Sequence, residues 1–324
     1  MRYAMTGATG FVGGALARLL IDRGHSVVAT VRSPDAPNAT ALADLGVEVV
    51  QAALGDPDAL AAAFAGADGL FHVAGWYKTG AKDSSAAWSV NVDGTRTALA
   101  AAADAGVPRV VYTSTCAINS DTGGIVRDES YTFQGTHLTV YDESKARAHA
   151  VAEGFARDQV LDVVIVMPGG IYGPGDTSTL GTMMHEVAAG KRVVAPSSLR
   201  LVEAYVDDVA AGHLLAMQRG RSGESYMLAG EQTNAHALMT YVADLTGGHR
   251  PFDMPAPALS LMSKIVGPLS RVLPLPPEFS AEGLRASGAS YLGSPDKAIR
   301  ELGWSFRPLS EGIAETVAGF ELQD

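Results

Sequence analysis

A doubly wound α/β fold, a parallel sheet with helices on both faces and a smaller lobe toward the C-terminus, is what this sequence predicts. Three observations predict it. Short Val-rich apolar runs alternate with amphipathic stretches through the first half of the chain, the pattern of strands feeding crossover helices. A glycine-rich turn joins the first run to the first helix. Beyond Gly169 the alternation stops, and Gly, Pro, Ser and Met dominate patches such as 173–181 and 251–257. The chain has 324 residues, enough for one large domain plus a lobe. Its 47 % hydrophobic and 18 % charged composition predicts a packed core rather than disorder.

The elements follow in order. Residues 2–5, 26–30, 47–51, 69–73 and 109–113 are short and bounded by Gly, Pro or Asp, as buried strands are. Between them, 11–22, 39–45, 57–64 and 88–105 carry helical periodicity, and Val107-Pro108 stops the last of these. Residues 116–140 form a long irregular segment, a length that usually marks a functional or mobile loop. A helix over 141–157 and a sixth strand over 161–167 come next, the strand ended by Met167-Pro168. The expected division is a dinucleotide-binding domain over 1–168 plus about 200–220, and a discontinuous substrate lobe over about 169–199 and 221–324.

Charge and cysteine usage narrow the function. There are 24 basic and 35 acidic residues, a net charge of −11, which speaks against a nucleic-acid partner. Cys116 is the single cysteine, so an internal disulfide is excluded. The N-terminus enters a strand directly, without a leader pattern, and the expected location is cytoplasmic. No run offers the ~20 uninterrupted apolar residues of a membrane span. The nearest, 258–274, is broken by Lys264, Pro268, Arg271 and Pro274 and reads as a lobe helix over a pocket rather than an interfacial membrane helix. The histidines lack metal-ligand spacing, so no metal is expected.

The first strand runs into Thr6-Gly7-Ala8-Thr9-Gly10-Phe11-Val12-Gly13. Gly7 can make the sharp turn, Gly10 presents no side chain to a pyrophosphate, and Gly13 lets the helix approach the sheet. The free N–H groups and positive dipole end of the helix then face the phosphates. Alone such a loop is an ordinary tight turn; at the first strand–helix junction it points to a dinucleotide. An acid at the end of the second strand would take the ribose hydroxyls of NAD, but the run here is Val28-Ala29-Thr30-Val31-Arg32-Ser33. Arg32 can pair with a 2′-phosphate, so NADP(H) is expected over NAD(H).

Tyr141 and Lys145 lie one helical turn apart in Tyr141-Asp142-Glu143-Ser144-Lys145. A phenol near its reference pKa of about 10 is a poor acid–base catalyst at neutral pH, and a neighbouring ammonium favours the phenolate. A hydroxyl must then position the substrate oxygen, and Thr113-Ser114-Thr115 ends the fifth strand at the edge where such folds bind ligands.

Together these residues resemble the extended short-chain dehydrogenase/reductase family, within the NAD-dependent epimerase/dehydratase superfamily and closest to its dihydroflavonol reductase-like branch. Further matching pieces are Phe71-His72-Val73-Ala74, Asn91-Val92-Asp93-Gly94-Thr95, residues 168–175, Val206-Asp207-Asp208-Val209 and residues 297–304. The resemblance spans essentially the whole chain. It implies a Rossmann sheet and three catalytic residues: Tyr141 as general acid, Lys145 lowering its pKa and holding the ribose, and Thr115 as the positioning hydroxyl, with Ser114 as the fallback. Around the cofactor it implies Gly7, Thr9, Gly10, Phe11 and Val12 at the phosphates, Arg32 and Leu54 toward the adenosine end, Val73, Ala74 and Thr113 along the sheet edge, and Pro168, Gly170 and Ile171 beside the nicotinamide, together with Tyr141 and Lys145. It also implies a homodimer paired through helices 88–105 and 141–157.

Two departures stand out. Ala53 falls where relatives carry an adenine-contacting aspartate, and Asp56 matches a later one. Residues 76–85 follow no family pattern and are expected to shape the substrate pocket. Asn91 reads either as a holder of a helix-bound water or as a helix hydrogen bond, Asp207 and Asp208 as a structural turn or cap, and Cys116 as a packed residue near the pocket. Trp76, Tyr77, Phe133, Tyr172, Met183, Met184 and Tyr205 could form an apolar, adaptable substrate surface, though each alone reads as core. The expected activity is NADP(H)-dependent reduction of a carbonyl on a small, fairly apolar molecule. A sugar-nucleotide epimerase or dehydratase with retained cofactor is the alternative, with Arg200, Arg221 and Arg250 available for a diphosphate. A non-catalytic cofactor-sensing regulator is the third reading, disfavoured because tyrosine and lysine are both present.

Overall fold

In the computed structural model the residues described are 1–78, 81, 83–255, 257–259, 261–262, 266 and 280–320. The chain alternates as expected: β1 (Arg2–Thr6), α1 (Phe11–Asp22), β2 (Ser26–Val31), α2 (Pro37–Asp44), β3 (Glu48–Gln51), α3 (Pro57–Phe64) and β4 (Gly69–His72). A π-helical turn (Ala87–Asp93) then runs into α4 (Gly94–Asp104), followed by β5 (Val110–Thr113), a 3₁₀ turn (Cys116–Asn119), α5 (Val140–Arg157) and β6 (Val163–Pro168). The second half holds β7 (Gly170–Tyr172), α6 (Thr179–Ala188), β8 (Arg200–Tyr205), α7 (Val206–Arg219), β9 (Ser225–Leu228), β10 (Glu231–Asn234) and α8 (Ala235–Thr246). It closes with α9 (Ala281–Ala286), β11 (Ser290–Tyr291), a second π-helical turn (Ala298–Leu302) and α10 (Leu309–Ala318).

Seven strands form one parallel sheet in the order β3-β2-β1-β4-β5-β6-β9. The order reverses between β1 and β4, and the crevice beyond their C-terminal ends is where ligands of this architecture bind. The central strands read as continuous apolar runs because helices cover both faces; all six residues of β6 are buried. Each such Val or Ile stabilises the fold by about 1.5–3 kcal/mol, which fixes the positions of the loops at the strand ends.

The strand pairing divides the second half differently from the sequence expectation. The expected dinucleotide-binding domain takes in about 200–220; within that stretch β8 centres a second, four-stranded sheet, antiparallel to β10 and parallel to β7 and β11. Residues 225–228 were assigned to the lobe, but β9 pairs with β6 as the seventh strand of the main sheet. Both strands are short and apolar, and their composition does not say which sheet edge is open. α7 bridges the two sheets: it packs on α1 and β6 and touches β7 and β8.

The closing segment docks on α7. The Trp304 indole N–H donates to the Asp208 carbonyl at 2.7 Å, and the Arg307 guanidinium donates to both Asp208 carboxylate oxygens at 3.1 Å. Arg307 also lies 3.9 Å from the Tyr205 ring centre. Asp208 is therefore structural, as the sequence suggests, although as an arginine clamp rather than a helix cap. The irregular segment 116–140 is pinned as well: Thr122 N and its hydroxyl both donate to the Ser290 carbonyl, and the Asp121 carboxylate accepts from Ser290 N. Among the described residues no helix is long and apolar enough to cross a membrane, and most of 258–274 lies outside those residues.

Candidate active site

The glycine turn has the geometry its sequence requires. Gly7 adopts φ +75°, and a Cβ there would come within 2.5 Å of Ala74 N. A Cβ on Gly13 would sit 2.1 Å from the Gly7 carbonyl oxygen. These two glycines pack the turn against β4 and seat α1 on it. Gly10 is different: its nearest neighbour to an added Cβ is the Gly7 oxygen at 3.3 Å, and Thr9 and Gly10 are exposed. No side chain caps α1, whose N-cap is Gly10. Its first N–H groups therefore face solvent across a surface kept bare of side chains, a cradle that fits a pyrophosphate. Thr9 beside it is exposed, and Phe11 and Val12 are half-buried against the core. Arg32 follows β2 immediately and is exposed; Gln51 donates to its carbonyl at 3.2 Å. Leu54 packs its side chain against Gly94. Asp56 is spent as the N-cap of α3, accepting from Ala59 N at 3.0 Å, so it does not replace the aspartate missing at Ala53.

The tyrosine site lies one crossover further along the same edge. Thr139 caps α5, accepting from Asp142 N at 3.0 Å, and Glu282 accepts from Val140 N. This fixes Tyr141 in the first turn of α5. The Thr115 hydroxyl, just past β5, accepts from Ala117 N at 3.1 Å and lies close enough to the Tyr141 phenol to lower its pKa. Ser114 is engaged elsewhere, bonded to His149 Nδ1 at 2.8 Å, which leaves Thr115 as the hydroxyl beside the tyrosine. The Tyr77 ring meets Tyr141 edge-on, 4.9 Å between centroids.

Lys145, one turn further along α5, is buried. Its ammonium donates to the Thr113 carbonyl at 2.7 Å and to the Tyr112 hydroxyl at 3.1 Å. Burial alone brings its pKa down to about 7. The Tyr141 phenol is pushed above its ordinary value, by burial first and by Tyr77 and Asp142 next, against the lowering influence of the Thr115 hydroxyl. The expectation that the amine directly acidifies the phenol is thus not what this arrangement displays: the ammonium is turned to the β5 backbone, and the phenol stays protonated.

A polar network underlies the site. His213 Nδ1 donates to the Val209 carbonyl at 2.8 Å, so its Nε2 accepts from the Thr113 hydroxyl at 2.9 Å. His72 bonds Thr6 at 2.7 Å and Thr95 at 3.1 Å and stacks on Tyr112. The Thr6 hydroxyl in turn accepts from Ala74 N at 3.3 Å, tying the glycine turn to β4. Asn91, inside the π-helical turn, accepts from Trp76 N at 2.7 Å and donates to the Trp76 carbonyl and to Ser144. It anchors the start of 76–85 rather than closing a helix hydrogen bond. Tyr172, Met184 and Tyr205 are core residues, as is Cys116, whose thiol donates to the Met167 carbonyl at 3.2 Å. Sequence reasoning missed Tyr112 and the His72 network; the signal available was a phenol and an imidazole in otherwise aliphatic buried strands.

Burial brings the pKa of His72 down to about 3 and that of His213 to about 4, so both are neutral in the fold. Their unfolded value is about 6.5, so the folded state binds fewer protons and this contribution is complete above that pH and lost below it. Thermal unfolding followed against pH should show stability falling as pH drops from about 6.5 toward about 4, and a His72→Asn, His213→Asn double variant should fall less steeply. Equal slopes would contradict the assignment.

Comparison with known proteins agrees with this geometry. The model of the NAD dependent epimerase/dehydratase family matches residues 3–229. A 4-hydroxy-2-methyl-3-oxo-4-farnesyl-3,4-dihydroquinoline-1-oxide ketoreductase of Stigmatella aurantiaca is 31 % identical, over 95 % of this chain and 92 % of that protein. The crystal structure of gox2253 is 34 % identical, covers 98 % of this chain and 97 % of its own, and superposes with a TM-score of 0.85. A dTDP-glucose 4,6-dehydratase from Streptomyces venezuelae with NAD and DAU bound shares the fold, with a TM-score of 0.81 at 24 % identity over 98 % of this chain and 96 % of that one. Among the described residues no group of His, Cys, Asp and Glu is arranged to hold a metal ion.

Proposed function

Because the chain belongs to the NAD dependent epimerase/dehydratase family, and is an NAD(P)-dependent oxidoreductase of the extended short-chain dehydrogenase/reductase type, we propose that it reduces a ketone or aldehyde on a small organic substrate with NADP(H). The observation that carries this reading is the buried, protonated Tyr141 phenol beside Thr115 at the tip of β5, with Lys145 one turn along α5 held on the Thr113 carbonyl. NADPH, when bound, supplies the hydride. Gly7, Thr9, Gly10, Phe11 and Val12 would hold its phosphates, Val73, Ala74 and Thr113 would line it along the sheet edge, and Pro168, Gly170 and Ile171 would flank the nicotinamide.

The protein's own task is to orient the carbonyl and to give its oxygen a proton. Thr115 donates a hydrogen bond that fixes the oxygen, and Tyr141 transfers its proton as negative charge grows there. A phenol kept neutral by burial is in the correct state for this direction. Lys145, positioned by Tyr112 and the Thr113 carbonyl, would hold the ribose. The relative named as a ketoreductase supports this direction of reaction.

The sugar-nucleotide alternative needs cations for a diphosphate, and the candidates are committed elsewhere. Arg221 pairs with Glu301 at 2.9 Å and with Glu224, Arg250 pairs with Asp244 at 2.9 Å, and Arg200 donates to the Gly124 carbonyl. Loss of the tyrosine or lysine would have favoured a regulator, and both are in place.

Arg32 supports the NADP(H) preference. Arg32→Ala should weaken NADPH binding by about ten- to a hundredfold, the loss of a charge-assisted bidentate contact, and leave NADH binding unchanged. Titration of both nucleotides against both proteins, followed by a ketone and aldehyde screen, tests cofactor and activity together. Tighter NADH than NADPH binding by the parent, or NADPH binding untouched by the substitution, would overturn the cofactor assignment.

A further inference from the structure

Among the described residues, one oxygen of a buried carboxyl near the site has no hydrogen-bond partner. Glu203 interrupts the apolar run Leu201-Val202-Glu203-Ala204-Tyr205 of β8 and is 2 % exposed. The unpartnered oxygen is its Oε1. The carboxyl lies directly on Gly170, its register partner on β7. A Cβ on Gly170 would come within 2.2 Å of Oε1 and 2.6 Å of Oε2. The bare backbone after Pro168-Gly169 is what leaves space for this group. Gly170 is one of the residues proposed to flank the nicotinamide, so the Glu203 carboxyl packed on it adjoins that end of the site. Burial and the neighbouring Asp176 push its pKa up to about 8, so near neutral pH it is a carboxylic acid that can both donate and accept.

We propose that Glu203 is a specificity-determining residue whose carboxyl hydrogen-bonds a hydroxyl of the substrate, which makes a hydroxy-ketone or hydroxy-aldehyde the preferred substrate class. A hydroxyl both donates and accepts, matching a neutral acid. An orphaned buried acceptor becomes satisfied when such a ligand enters, and an analogue lacking the hydroxyl leaves it orphaned. This inference rests on the reductase reading for the carbonyl but assigns a group that reading does not use.

The test compares aryl ketones carrying a hydroxyl one, two or three carbons from the carbonyl with the same ketones lacking it. Affinity for the NADP⁺ complex is measured by calorimetry, and kcat/KM with NADPH, for the parent, Glu203→Gln and Glu203→Leu. At least one hydroxylated ketone should bind the parent about ten- to a hundredfold tighter than its counterpart. Gln, which also donates and accepts, should keep most of that preference. Leu should abolish it while binding the plain ketone at least as well, with NADP⁺ affinity unchanged in all three proteins. Leu fills similar space and removes an orphaned polar atom, so folding is not at risk. No preference in the parent, a preference that survives in Glu203→Leu, or equal weakening of every ketone would overturn the proposal. A Glu203-dependent preference in calorimetry without NADPH turnover would support it while defeating the reductase reading; turnover without preference would do the reverse.

Discussion

Tyr141→Phe is expected to bind NADPH as the parent does and to lose about two to four orders of magnitude in kcat, the range for removing a positioned general acid. The two halves of this expectation come from different parts of the structure. The glycine turn, the bare N-terminus of α1 and Arg32 would hold the nucleotide without the phenol. The ring itself is kept by Tyr77 and by the Thr139 cap of α5, and phenylalanine keeps that packing. Only the proton donor beside Thr115 is lost. Nucleotide titration and steady-state kinetics on the same preparation separate the two effects. Unchanged turnover would remove Tyr141 from the chemistry, and loss of nucleotide binding would make it structural.

Gly13→Ala is expected to cost both stability and cofactor, whereas Gly10→Ala should cost cofactor alone. The added methyl at Gly13 meets the Gly7 carbonyl oxygen at 2.1 Å and the Gly7 carbonyl carbon at 2.7 Å. Both are backbone, so relief requires α1 to move off the turn, at about 1–3 kcal/mol for overpacking, and the phosphate cradle moves with it. At Gly10 the nearest atom is the Gly7 carbonyl oxygen at 3.3 Å, a tight contact relieved by a shift of a few tenths of an ångström, so the methyl chiefly obstructs the pyrophosphate. Thermal unfolding and NADPH titration of the two variants should therefore dissociate: Gly13→Ala melts lower and binds at least about tenfold more weakly, and Gly10→Ala melts like the parent and binds weakly. A Gly13→Ala protein with parental melting and affinity would contradict the account of the turn.

The main sheet was legible in the sequence because its signals are local. Short valine runs, the helical stretches between them and the glycine turn each declare themselves within a dozen residues, and the tyrosine and lysine share one helix. What was not legible depends on contacts between distant segments. β8 and β9 look alike as short apolar runs, and only their pairing with β10 and β6 tells which sheet each joins. Asp56 resembles a nucleotide ligand in sequence and is an N-cap in three dimensions. The direction in which Lys145 points is set by Tyr112 and the Thr113 carbonyl on another strand. Glu203 is a lone acid in the apolar run of β8, and its meaning rests on Gly170, thirty-odd residues away in the chain and its register partner on β7.

The central claim is that this site moves a hydride onto a carbonyl carbon while Tyr141 protonates the oxygen. Incubation with NADPH deuterated at nicotinamide C4 and a ketone that the enzyme accepts should yield an alcohol with deuterium on the carbinol carbon, in the parent and far more slowly in Tyr141→Phe. A protein that purifies with non-exchanging cofactor and transfers no deuterium to any ketone or aldehyde would contradict it.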